Sequence, residues 1–116
     1  MYREFLTPDD EEVYQSVGEC PDSNEEGVRT FAFRDNFEQS LNFSYAALTR
    51  SVRVRWANHR GVDMLDIYRE GATRLSFAPG KLAGKIFVDF EMGECTGILE
   101  IQFTPQLKVQ DRLLFH

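Results

Sequence analysis

The chain has 116 residues, 42% hydrophobic and 28% charged, with a formal net charge of -6. A chain of this length buries roughly two-thirds of its unfolded surface, so one core suffices and neither a metal nor a disulfide staple is required. No stretch approaches the roughly 18 apolar residues of a membrane span, the opening MYREFLTPDDEE lacks the apolar region of a signal peptide, and Cys20 and Cys95 alone do not make a secreted disulfide scaffold.

The elements follow in chain order. In TPDDEEVYQSVG, Thr7 is placed to cap a helix, Pro8 fits its first position, and Asp9, Asp10, Glu11 and Glu12 complement the positive end of its dipole. Gly18 offers a left-handed stop, so the spacing predicts a helix of about ten residues. The stretch ECPDSNEEG is polar and turn-rich and reads as an acidic loop. From Val28 the apolar period becomes two. Phe31 and Phe33 share a face, as do Leu41, Phe43 and Tyr45, then Val52, Val54 and Trp56. Leu65 with Ile67 and Leu75 with Phe77 continue it, then Ile86, Val88 and Phe90, and finally Leu99, Ile101 and Phe103. Such alternation marks strands with one buried face.

Turn chemistry separates the runs: RDN, NHRG, REGA, APGK and EMGE. Parallel crossovers need a dozen or more residues each, and no gap is that long. The prediction is a mainly β fold, an antiparallel meander of seven or eight strands forming a sandwich or an open barrel behind one short N-terminal helix. One domain is expected, with residues 1–27 as acidic helix and loop and 28–116 as the β core. The ending PQLKVQDRLLFH is ambiguous, with Leu113, Leu114 and Phe115 expected to cap the core as strand or helix.

Charge is unevenly laid out. Residues 1–27 hold nine acids and one base, a balance of -8, whereas residues 50–85 hold eight bases and three acids, a balance of +5. The basic stretch RSVRVRWANHR places Val52, Val54 and Trp56 on the core side, which sends Arg53 and Arg55 outward, about 7 Å apart. Arg50, Arg60, Arg69, Arg74, Lys81 and Lys85 lie on neighbouring hairpins. Two readings follow. Arg53, Arg55 and Arg74 form an anion-binding or dimer-contact surface, or they are a solvated face paired across strands with Asp63, Asp66 and Glu70. Nucleic acid is a poor match, because the overall balance is acidic and no RNA- or DNA-binding motif is present.

Catalytic and metal-binding chemistry finds no constellation. His59 and His116 are the only histidines, and there is no G-x-S-x-G elbow. Cys95 stands among Glu91, Glu94 and Glu100, whose charges disfavour a thiolate. No cysteine or histidine pair has metal-ligand spacing, and Asp9 to Glu12 lack the alternation of a calcium loop. Asp63, Asp66, Arg69 and Glu70 could stand at a barrel mouth, but nothing marks a base or nucleophile among them. No cofactor or metal is expected.

The leading expectation is a non-catalytic interaction module. In size, acidity and lack of catalytic motifs the chain is similar to small acidic inhibitors and immunity-type proteins of bacteria. That likeness implies a basic protein partner, met by Asp9, Asp10, Glu11, Glu12, Glu25 and Glu26. The alternative is a small-molecule-binding barrel or sandwich whose pocket is lined by Tyr45, Trp56, Tyr68 and Phe103. Exposed sheet edges, with Phe87 facing away from the core, also point to a homodimer. Cytoplasmic placement, away from membranes and with both thiols reduced, goes with all three.

Overall fold

The computed structural model describes residues 4–80 and 83–116; the predicted contribution of Lys81 to the basic patch lies outside them. The helix is α1 (Asp10–Val17), and the strands are β1 (Asp22–Ser23), β2 (Arg29–Arg34), β3 (Ser40–Ala46), β4 (Ser51–Ala57), β5 (Asp63–Glu70), β6 (Ala72–Pro79), β7 (Gly84–Glu91), β8 (Cys95–Thr104) and β9 (Lys108–Phe115). All pairings are antiparallel between consecutive strands, and they divide into a five-stranded sheet, β1-β2-β3-β4-β5, and a four-stranded sheet, β6-β7-β8-β9. The fold is therefore a meander sandwich and not a closed barrel. The strand beyond the expected eight is β1, a two-residue pairing inside the predicted acidic loop.

The period-two residues do what a half-buried strand requires. Leu41, Phe43, Val54, Ile86, Val88, Leu99 and Ile101 are fully buried and form one core between the sheets. Aromatic rings cross the interface: Phe31 of β2 meets Phe77 of β6 edge-on at 5.8 Å, and Phe33 stacks on Phe103 of β8 at 4.8 Å. At this separation and geometry such pairs add to plain area burial.

The chain passes from one sheet to the other through a single residue. Gly71 has φ +92°, and a Cβ there would stand 3.0 Å from the Glu91 carbonyl oxygen, so only glycine fits without strain. Its carbonyl accepts from Glu91 N–H at 2.9 Å, and the next residue, Ala72, donates to Arg50 at 3.0 Å.

The helix begins later than its sequence suggests. Leu6 is drawn into a bridge with β6, its N–H bonding Thr73 O and its carbonyl accepting from Leu75 N–H, both at 2.9 Å. Thr7 and Pro8 are used in leaving that bridge, and Asp9 is the cap, its Oδ1 accepting from Glu12 N–H at 2.8 Å. Gly18 ends the helix as expected, in the left-handed region with its N–H on Tyr14 O. Val13 is buried in the core, and α1 packs beside β6.

Candidate functional site

The acidic residues gather at one end of α1. Asp9 caps the helix, Asp10 forms an ion pair with Arg29 of β2, and Glu11 and Glu12 are exposed in the first turn. Arg29 lies opposite Ser23 in the β1–β2 pairing, next to the turn, so the Asp10–Arg29 contact holds the helix start at the turn end of that hairpin. Its turn is built by Asn24, whose Oδ1 accepts from Glu26 N–H and Val28 N–H, each at 2.9 Å, and this leaves Glu25 and Glu26 exposed. No described cation is within ion-pair distance of Asp9, Glu11, Glu12, Glu25 or Glu26.

Two arginines of the basic stretch, Arg53 and Arg55, are paired inside their own sheet. Arg53 grips Asp66 with two bonds, at 3.1 and 2.9 Å, and Arg55 reaches Asp63 at 3.1 Å. These acids stand on β5 diagonally across from the arginines, since Arg53 is directly opposite Tyr68 and Arg55 opposite Asp66, within the reach of cross-strand neighbours. The structure brings Arg53 and Arg55 together but sets Arg74 apart on β6. There it shares a groove of about 490 Å³ with Thr7, Glu12 and Ser16.

The hydrogen bond from Arg53, aided by the charges of Arg53 and Arg55, holds the Asp66 carboxyl below the usual aspartate range against a smaller desolvation effect. A depressed folded pKa makes its contribution present above the unfolded value, near 4, and lost as pH falls through the folded value. We expect the melting temperature of Asp66→Asn to lie below that of the parent at pH 7, with the gap closing toward pH 3. A gap that holds constant through that window would refute the ionic origin.

The four aromatic residues proposed for a ligand pocket do not share one pocket. Tyr45 and Tyr68 line one groove of about 510 Å³, and Trp56 lines another of about 350 Å³, its indole N–H donating to Gln39 Oε1 at 2.8 Å. Phe103 is stacked on Phe33. Burial raises the Tyr45 phenol pKa, partly offset by Arg29, and its hydroxyl has no hydrogen-bond partner among the described residues. Among those residues no cluster of three metal-ligand side chains occurs, and no helix is long and apolar enough to cross a membrane. Cys20 is exposed and Cys95 buried, both as free thiols.

Two features went unseen in the sequence. Arg69 of β5 crosses to the second sheet and holds Asp111 of β9 with bonds of 2.7 and 2.6 Å, its guanidinium 5.1 Å from the centre of the Phe90 ring. Further along β9, Leu113, Leu114 and Phe115 do not cap the core; they are 44%, 66% and 70% exposed, with Ile98 of β8 beside them at 46%. Leu113 and Phe115 stand opposite Gly97 and Cys95 on the core face yet stay exposed, whereas Leu114 and Ile98 lie on the outer face. The run LLF, apolar at three successive positions, was the available signal, since a half-buried strand would alternate.

No family model matches the chain, and no curated protein gives a significant match. In fold it is similar to a chain of the contact-dependent growth inhibition toxin–immunity protein complex from Klebsiella pneumoniae 342. The TM-score is 0.81 at 15% identity, over 93% of this chain and 96% of that one.

Proposed function

We propose that this chain is an immunity-type interaction module, which binds a basic bacterial toxin in the cytoplasm and neutralises it. The observation that carries the reading is the fold likeness, over nearly the full length of both chains, to a chain of a toxin–immunity complex. The inhibitor's part suits this chain better than the toxin's, because the carboxylates nearest to a catalytic grouping, Asp63 and Asp66, are engaged by Arg55 and Arg53. The charge layout supports a docking face made by Asp9, Glu11 and Glu12 of the helix start with Glu25 and Glu26 of the hairpin turn. Asp10 serves chiefly to hold that face together through Arg29. Exposed carboxylates of one sign steer a basic partner and raise its association rate.

The test is affinity capture from lysate of the source cells at low salt and at about 0.5 M salt, where screening is strong. The captured protein is then expressed alone and together with this chain. We expect a basic protein that arrests growth alone and is harmless in company; a captured protein that is harmless alone would overturn the reading. For the docking face, the variant D9N/E11Q/E12Q/E25Q/E26Q keeps the helix cap, since asparagine caps as well as aspartate. Its association rate should fall by about tenfold or more at low salt and approach that of the parent at high salt. An unchanged rate at low salt would move the interface elsewhere.

A further inference from the structure

The three long strands at sheet edges are treated differently. The edge of β6 is partly covered by Leu6, and β5 carries charges along its whole length in DMLDIYRE. Charge of that kind is a usual guard against edge-to-edge pairing. On β9 the charges Lys108, Asp111 and Arg112 fall in the first part, and the closing Leu113, Leu114 and Phe115 carry none.

The backbone of that closing part is turned outward. Glu94 O accepts from His116 N–H at 2.9 Å, and the β8–β9 register pairs Thr96 with Leu114 and Ile98 with Arg112. In an antiparallel ladder hydrogen-bonded and non-bonded pairs alternate. The even-numbered residues of β9 are therefore bonded to β8, and Asp111, Leu113 and Phe115 direct N–H and C=O to the open edge. Leu113 lies over Gly97, where a Cβ would stand 2.9 Å from its Cδ2.

We propose that this edge pairs with the same edge of a second copy, antiparallel, about a two-fold axis at Leu113. Symmetric pairing must keep residues of one face opposite one another, so the axis passes through a residue. An axis at Asp111 sets two carboxylates face to face, and one at Arg112 sets two guanidinium groups face to face; like charges directly opposite are destabilising. At Leu113 the central pair is apolar. Asp111 of each copy then faces Phe115 of the other in bonded pairs, and Arg112 lays its aliphatic stem against Leu114. The incoming Phe115 arrives beside the Arg69 guanidinium that already covers Phe90. Each sheet grows from four strands into half of a continuous eight-stranded one, and the α1 acids of both copies stay outside the seam. The dimer stands independently of the toxin reading.

The test is analytical ultracentrifugation over a wide concentration range, with amide hydrogen exchange on the same samples. We expect a reversible monomer–dimer equilibrium in which the amides of Asp111, Leu113 and Phe115 gain protection as concentration rises. Leu113→Arg should abolish the dimer, while Met64→Arg on the β5 edge should leave it intact. A chain that stays monomeric throughout, or a dimer that leaves those three amides unprotected or survives Leu113→Arg, would overturn the proposal. Should Leu113→Arg fail to fold, the exchange pattern of the unaltered protein decides.

Discussion

Replacing Phe31 by alanine is expected to lower the unfolding free energy by about 3–5 kcal/mol, with a drop in melting temperature of more than about 10 °C. Phe31 is 1% exposed, stacked on Phe33 of its own strand at 5.7 Å, and edge-on to Phe77 of the other sheet. Its removal takes away the transfer free energy of a buried ring and leaves a cavity in the seam between the sheets. The surrounding strands are held by their ladders and cannot close on it without giving up register. Phe37 is the control: the same residue type, 60% exposed in the β2–β3 turn, so Phe37→Ala should shift stability by less than about 0.5 kcal/mol. Urea denaturation of both variants measures the difference. A Phe31→Ala loss near that of the control would mean that the two sheets do not share one core.

The second large effect is expected at the bridge between β5 and β9. Asp111→Ala should cost about 2 kcal/mol by the same measurement, because it strands the Arg69 guanidinium against Phe90. The figure is set below that of a wholly buried pair because the side chains keep 16% and 28% of their exposure. The double variant R69M/D111L removes both charges and should recover most of the loss, since an apolar pair of similar volume often serves as well as a buried ion pair. A double variant as unstable as Asp111→Ala would locate the loss in strand β9 itself and not in the stranded charge. The coupling follows from the four proteins of the cycle.

The two stabilising contacts differ in how far they could be read from sequence, and the difference is physical. Phe31 belongs to an alternation, and alternation is local: a strand half in a core must repeat every second residue wherever its partners lie. The same holds for Leu41, Phe43 and Tyr45 and for Ile86, Val88 and Phe90, and the short turns were enough for a meander. The Arg69–Asp111 bridge spans 42 positions, and no spacing rule links two residues that meet only when separate sheets stack. The acid cluster at Asp9 to Glu12 was plain as charge, yet the cap moved from Thr7 to Asp9 because Leu6 found a partner on β6. For the basic stretch the sequence offered both a binding face and cross-strand pairs, and the geometry gives Arg53 and Arg55 their partners on β5. The stretch REGA looked like one more hairpin turn, and nothing in its composition says that the chain changes sheets there.

That change of sheet at Gly71 divides the protein by sequence as well as by layer. Every strand of the first sheet precedes it and every strand of the second follows it, so each sheet is a series of neighbouring hairpins whose strand ladders are built from contiguous chain. Folding can zip each half locally and reserves its distant encounters for one docking event between finished faces. The arm from Leu6 to Val17 reverses that order, belonging to the first half yet lying on the second. A chain opened at Gly71 would thus yield two fragments with matched faces, the earlier one carrying its own clasp for the later.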